Sequence, residues 1–461
     1  MARLFGTDGV RGVANADLTP ELAFRLGRAA AYVLALGSED GGADEDKRIA
    51  VGRDTRASGD LLESALIAGI LSAGVSVLRL GVVPTPGVAR LTRTLSCSAG
   101  AMISASHNPV EDNGIKFFGA DGFKLQDEVE DAIEAAMEGD SWARIPRPAG
   151  IGVGRIVDGR DQVAKYVEFL TETVRSRFDG LKVVIDCAYG AAYRIAPEVF
   201  RRLGAEVVVI NDRPTGDNIN VGCGSTHPEV IQEAVLRHGG EVGLSFDGDA
   251  DRLIAVDEKG ERIDGDHILA ICARRLKQHG ELDGDTVVAT VMSNVGLEKS
   301  LKQAGISLVR TAVGDRYVME EMVRGGYVLG GEQSGHIIFL RHNTTGDGIL
   351  TALQLVDTMV ASARPLSELR EVMTTYPQKL VNVRVADKHE LGGNVSIRDE
   401  IRRVQEQLGR DGRVLVRPSG TEPLVRIMVE GPDASAVDAA ANRLARVIQR
   451  ELGSGDGPVT P

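Results

Sequence analysis

In Lys47-Arg48-Ile49-Ala50-Val51-Gly52, two basic residues lead into three successive apolar residues with no polar residue alternating among them. Such a run reads as a strand buried on both sides. A helical apolar pattern follows at Leu61–Ser72, then a second strand-like run, Ala73-Gly74-Val75-Ser76-Val77-Leu78-Arg79. The same order returns at 181–186 (LKVVID), a helix and 203–210 (LGAEVVVI). It returns again at 285–290 (DTVVAT), Leu297–Gln303 and 304–309 (AGISLV). Each is strand, helix, a glycine with small neighbours, strand: the βαβ unit of parallel or mixed sheets covered by helices. The repeat predicts an α/β protein with three tandem, related α/β domains, at 1–160, 161–260 and 261–372. From about Leu380 the pattern becomes strand (381–385), helix (396–408), two strands around 417–421 and helix (434–452). That is a small C-terminal α+β domain, 373–452. Residues 453–461 read as a flexible tail, and the acidic, glycine-rich segment 37–46 (GSEDGGADED) as a surface loop.

Composition agrees with several packed domains. At roughly 100–200 residues per domain, 461 residues make three or four. Hydrophobic residues at 43% and charged residues at 26% exclude wholesale disorder. The chain carries 53 Lys and Arg against 66 Asp and Glu, a net charge of −13. With 4% aromatics and no basic block, no nucleic-acid partner is expected. A local cation cluster still allows a small anionic substrate. No apolar stretch approaches about 18 residues, so no membrane partner is expected. The opening residues Met1 to Asp8 form no signal core, and a cytoplasmic location is expected. Cys97, Cys187, Cys223 and Cys272 lie far apart without a CxxC pair, which predicts reduced thiols and no zinc site. Glycine is in excess, which predicts tight loops and close backbone approach to ligands.

Four segments carry chemistry. Gly100–Ile103 runs as an apolar strand into Ser104-Ala105-Ser106-His107-Asn108-Pro109, placing Ser106 on a strand-end loop. No GxSxG elbow surrounds it, and His107, as its immediate neighbour, is expected to point away, so a hydrolase Ser–His pair is disfavoured. Lys116, followed by Phe117 and Phe118, is a partly desolvated amine suited to acid–base work. In Asp247-Gly248-Asp249-Ala250-Asp251-Arg252, an extended backbone would put all three carboxylates on one side, where a hard divalent cation relieves their repulsion. An EF-hand is excluded because Arg252 stands where its glycine is needed, and the flanks read as strands. Gly331-Glu332-Gln333-Ser334-Gly335-His336 offers hydrogen-bonding side chains framed by glycines, which suits a polyol. Arg417-Pro418-Ser419-Gly420-Thr421, with Arg426 beyond, reads as a phosphate cradle of backbone N–H groups, hydroxyls and a forked cation.

In this order, these loops resemble those of the α-D-phosphohexomutase superfamily, and the likeness runs from Phe5-Gly6-Thr7-Asp8-Gly9-Val10-Arg11-Gly12 to the final helix. Phe5–Gly12, Cys223-Gly224-Ser225-Thr226-His227-Pro228-Glu229 and Gln333 are similar to the branch acting on glucosamine phosphates. The resemblance implies a heart-shaped, four-domain enzyme around a central cleft. It would interconvert glucosamine 6-phosphate and glucosamine 1-phosphate, supplying UDP-N-acetylglucosamine and peptidoglycan synthesis. Alternatives are a phosphomannomutase or phosphoglucomutase, or a non-catalytic sugar-phosphate-binding protein. By motif position it implies Ser106 as phosphoserine, with Asp247, Asp249, Asp251 and the phosphoserine holding one Mg²⁺. Lys116 and His336 become acid–base candidates, and Arg11, Arg252 and His107 line the transfer site. Glu332 and Ser334 face sugar hydroxyls. Arg417, Ser419, Gly420, Thr421 and Arg426 hold the non-reacting phosphate. A glucosamine or glucose 1,6-bisphosphate would serve as intermediate or activator, in a monomer or homodimer.

Overall fold

The computed structural model describes residues 3–6, 8–37, 47–419 and 423–453. The acidic segment beyond Gly37, the tail beyond Gly453, and Gly420 and Thr421 of the cradle lie outside the described residues. The chain divides into two compact units, Met1–Met292 with Ile306–Val372, and Ser293–Gly305 with Met373–Pro461.

The first unit contains three mixed sheets. One uses β1 (Val10–Val13), β2 (Arg48–Arg53), β3 (Ser76–Val82), β4 (Ala99–Ile103), β5 (Asp112–Gly119) and β6 (Ile156–Asp158), in the order β1-β5-β4-β2-β3-β6. The second uses β7 (Lys182–Asp186), β8 (Glu206–Ile210), β9 (Val242–Phe246), β10 (Leu253–Asp257) and β11 (Arg262–Ile263), in the order β11-β10-β9-β7-β8. The third uses β12 (Thr286–Thr290), β13 (Ser307–Thr311), β14 (Leu329–Gly331) and β15 (Ile337–Phe339), in the order β13-β12-β14-β15. In each, the repeated strand pair is parallel: β2 with β3, β7 with β8, β12 with β13. Antiparallel hairpins, β4–β5, β9–β10 and β14–β15, supply the mixed character.

The hairpins carry three of the candidate segments. The serine segment leaves β4, Lys116 lies on β5 opposite Met102, the Asp loop joins β9 to β10, and the polyol loop joins β14 to β15. β4 is buried throughout, and β9 and β10 are likewise buried. Loops rising from strands packed on both faces inherit rigid anchors.

The second unit has one antiparallel sheet, β16 (Gln378–Arg384), β17 (Arg413–Pro418) and β18 (Leu424–Glu430), ordered β16-β18-β17. Helices Val395–Leu408 and Ala434–Leu452 complete a core that includes Val383, Val425, Ile427, Leu444 and Ile448. Asp433 caps the last helix, accepting from the Ser435 and Ala436 amides. The helix expected at 297–303 spans Val295–Gln303 and groups with this unit. There Asn294 donates to the Tyr376 carbonyl (2.9 Å) and Lys299 to the Tyr376 hydroxyl (3.0 Å).

Candidate active site

Ser106 is buried and has φ +53°, a left-handed conformation that costs a side-chain-bearing residue of order 1–3 kcal/mol. Its surroundings hold it there. Arg56, fully buried and paired with Asp54 (3.0 Å), donates to the carbonyls of Ser106 (3.0 Å), Asn108 (2.9 Å) and Asp112 (3.0 Å), and to Pro109. Asp54 accepts from the Ser104 hydroxyl (2.7 Å), whose oxygen accepts from the Ser106 amide (2.9 Å). Asn220 donates to the Ser106 carbonyl (2.8 Å). One guanidinium thus ties several carbonyls of a strained loop. Arg56→Met should leave the buried Asp54 without its cation and the loop carbonyls without their donor, a loss of about 3–5 kcal/mol for a broken buried pair. Urea denaturation of the variant against wild type measures it, and an unchanged midpoint would show that the clamp carries no load.

The Ser106 hydroxyl donates to Asp247 Oδ2 (2.6 Å). Its oxygen also lies 3.3 Å from His107 Nδ1, so His107 does not point away as the sequence suggested. The alternation rule holds for extended chain, and Ser106 is not extended. Burial and the nearby Arg252 push His107 down to about 4, a neutral ring at pH 7.

Asp247, Asp249 and Asp251 each place a carboxylate oxygen within 4.8 Å of the others. The route to that cluster differs from the expected one. The loop is a turn, with Ala250 left-handed at φ +56°, and the turn rather than strand alternation brings the carboxylates together. Gly248 is required: a Cβ there would meet the Ser106 carbonyl at 2.6 Å. Asp249 Oδ1 and Asp251 Oδ1 are buried and have no hydrogen-bond partner. Orphaned, clustered, all-oxygen donors fit a hard divalent cation. Burial first, then Asp251 and Asp249, push the Asp247 carboxyl well above the usual range.

Cations surround this cluster. Lys116 is buried on β5, not snorkelling, and its Nζ donates to Asp249 Oδ2 (3.1 Å), which also accepts from the Thr85 hydroxyl (2.6 Å). Burial opposes the charge on Arg252, but Asp251, Asp247 and Glu332 raise it above the usual guanidinium range. His336 Nδ1 lies 3.5 Å from Asp251 and Nε2 lies 3.4 Å from Asp315. Burial works against the imidazolium, but the two carboxylates outweigh it and raise His336. The Gly346 amide also points at Nε2 (3.1 Å), which favours a lone pair there. Glu332 accepts from the Gly314 amide (3.2 Å), and burial raises its carboxyl. Ser334 is exposed beside it. Arg11, on β1, pairs with Asp8 (3.2 Å).

The structure thus collects Ser106, His107, Lys116, the three aspartates, Arg252 and His336 around one point. In the second unit, Arg417 and Arg426 face each other across β17 and β18. Burial and then Arg426 lower Arg417, and two in-register guanidinium groups favour an anion near both. Ser419 does not offer its backbone N–H as expected, because that amide donates to the Leu424 carbonyl (2.8 Å). Lys388 adds an unforeseen cation here, donating to the Ser419 carbonyl (2.7 Å). Sequence reading also missed Asp54, Arg56, Thr85, Lys124 and Asp315. Only Asp8 had a signal, in its glycine-framed segment next to Arg11.

Family models for phosphoglucomutase/phosphomannomutase match all along the chain: α/β/α domain I at residues 2–144, domain II at 164–260, domain III at 264–376 and the C-terminal domain at 380–447. A curated phosphoglucosamine mutase of Brevibacillus brevis is 56% identical over 98% of this chain and 100% of its own. The crystal structure of a phosphoglucomutase/phosphomannomutase family protein from Burkholderia thailandensis superposes with a TM-score of 0.80 at 25% identity, covering 99% of each chain. The Aspergillus fumigatus N-acetylphosphoglucosamine mutase, crystallised with GlcNAc-6P and magnesium, shares the fold at 18% identity and a TM-score of 0.65, covering 97% of this chain and 95% of that one. Four matched domains, the loop geometry and near-complete alignment agree: the chain belongs to the phosphoglucomutase/phosphomannomutase family, within the α-D-phosphohexomutases.

Proposed function

We propose that the chain interconverts glucosamine 6-phosphate and glucosamine 1-phosphate in the cytoplasm, through a phosphoserine at Ser106. The observation that carries the chemistry is the Ser106 hydroxyl, 2.6 Å from Asp247 within a carboxylate cluster that leaves Asp249 Oδ1 and Asp251 Oδ1 without hydrogen bonds. The amino-sugar substrate is supported by the high identity to phosphoglucosamine mutases. The buried, unpaired cysteines fit a reducing compartment. Domain limits of 1–160, 161–260, 261–372 and 373–452 belong to the same reading.

Asp247, Asp249, Asp251 and the phosphorylated Ser106 would hold Mg²⁺, which when bound offsets negative charge on the transferring phosphoryl group. The chain's own groups do the rest. A free sugar hydroxyl attacks phosphorus, the P–O bond to Ser106 Oγ breaks, the hydroxyl proton passes to one of Lys116 and His336 in its neutral form, and Ser106 Oγ takes a proton from the other in its charged form. Arg252 and Arg11 stabilise the phosphoryl oxygens as charge redistributes. The resulting 1,6-bisphosphate reorients, and its other phosphate returns to Ser106. Glu332 and Ser334 orient the sugar; Arg417, Ser419, Gly420, Thr421 and Arg426 grip the non-reacting phosphate.

The test is ³¹P NMR of purified protein with glucosamine, glucose and mannose 6-phosphates. The reading expects glucosamine 1-phosphate to form fastest. Faster turnover of the mannose or glucose ester would overturn the substrate assignment. A further expectation concerns Arg417. Its fork makes paired charge-assisted bonds that an ammonium cannot reproduce, each costing about 1.5–3 kcal/mol when lost. Arg417→Lys should lower kcat/KM at least about tenfold and leak bisphosphate or inorganic phosphate, with Ser106 phosphorylation preserved. Unchanged steady-state constants without leakage would mean that the segment is only a hairpin turn.

A further inference from the structure

Lys124 lies outside every chemical motif of the sequence, yet it sits at the centre of a half-buried charge network, its own side chain 19% exposed and those of Asp8 and Asp315 30% and 14%. Its ammonium donates to Asp8 (2.8 Å) and to Asp315. Asp8 also takes Arg11 (3.2 Å), and Asp315 lies 3.4 Å from His336 Nε2, whose other nitrogen lies 3.5 Å from Asp251. The chain of contacts runs Arg11, Asp8, Lys124, Asp315, His336, Asp251. His336 therefore stands between two carboxylates at nearly equal distances; Lys124 donates directly to Asp315, whereas Lys116 acts on Asp251 only electrostatically.

We infer that Lys124 is a positioning residue: by saturating Asp315 it prevents that carboxylate from capturing His336, and so keeps the imidazole turned toward the phosphoryl-transfer centre. The inference rests on the phosphomutase reading above. Asp8 has other cations to satisfy it, since Arg11 pairs with it directly and Lys116 acts on it electrostatically. Asp315 has no such reserve among its described contacts. Lys124 and the His336 ring are the two side chains placed against its carboxylate. Without Lys124, the nearest remaining partner for the Asp315 carboxylate is the His336 ring, 3.4 Å from it at Nε2. The link reaches His336 through Asp315, so Lys124 need not touch substrate.

A double-mutant cycle of Lys124→Met and Asp315→Asn tests this. It is run on whichever hexose 6-phosphate the wild type turns over fastest, so a failed substrate assignment and a failed Lys124 assignment appear in different measurements. Lys124→Met should lower kcat at least about 20-fold with KM within about threefold. Adding Asp315→Asn should restore at least about fivefold of that kcat, because the competing carboxylate is gone. A lost structural bridge would not be mended by removing its second half. A single variant with wild-type kcat, or a double variant no faster than the single, overturns the inference. If Lys124→Met does not fold, the double variant decides alone: folded and within about tenfold of wild-type kcat supports the inference, and unfolded or slower overturns it.

Discussion

Ser106→Ala should lower turnover at least about 10⁴-fold and leave the fold in place. The first expectation follows from the covalent mechanism: without Oγ no phosphoryl acceptor remains, and losing a nucleophile commonly costs several orders of magnitude. The second follows from the contacts. The side chain contributes one hydrogen bond to Asp247 and one close contact to His107, worth about 1–3 kcal/mol together. The strained backbone is held by Arg56, Asn220 and the Ser104–Asp54 bridge, all of which reach it through Ser106 main-chain atoms. Alanine keeps those atoms. Intact mass should fall short of phosphorylated wild type by the ~80 Da of a phosphate besides the lost oxygen. Ser104→Ala should be milder, roughly 10- to 30-fold, because it loosens one tie on the loop and keeps the nucleophile. A Ser106→Ala enzyme within tenfold of the wild-type rate would exclude the phosphoserine.

What could be read from the sequence was what lies close along the chain. The βαβ repeats announced their strands because a strand buried on both faces must be apolar throughout, and β2, β7 and β12 lie where the runs fell. The Asp loop was visible because its carboxylates crowd into five residues. The same local logic failed wherever a backbone left the extended state. His107 approaches Ser106, and the aspartates converge, because Ser106 and Ala250 are left-handed. No pattern of side chains marks a non-glycine residue for that conformation. Tertiary partners were invisible for a simpler reason. Arg56 binds a loop about 50 residues away and Lys124 a carboxylate 191 residues away, so neither leaves a spacing to detect. The contact preference of the Val295–Gln303 helix is of the same kind, since its sequence shows amphipathic spacing but not which neighbour covers it.

Asp247→Asn should cost activity without costing the metal-free fold. Three carboxylates held within 4.8 Å repel one another, and burial plus Asp251 and Asp249 raise the Asp247 carboxyl. A group raised in the folded state contributes stability below its unfolded value, near about 3.9, and loses it as pH rises. In EDTA the wild type therefore sheds stability above about pH 4 on this account, while the amide, which never ionises, does not. The Asn variant should melt at or above the wild-type temperature in EDTA, with the gap widening toward pH 7. Magnesium reverses the order. Ligand binding stabilises the fold by about 2.7 kcal/mol at a hundred times its dissociation constant, and the wild type gains that in full. The variant, short of one anionic ligand, gains less, and its kcat/KM should fall at least about a thousandfold, the several kcal/mol that a metal supplies to phosphoryl transfer. Thermal melts of both proteins, in EDTA and in magnesium, separate the two possibilities. A structural site predicts that EDTA lowers the wild-type melting temperature to that of an unfolding chain and that Asp247→Asn is destabilised in both conditions. A catalytic site built on repelling carboxylates predicts the crossover.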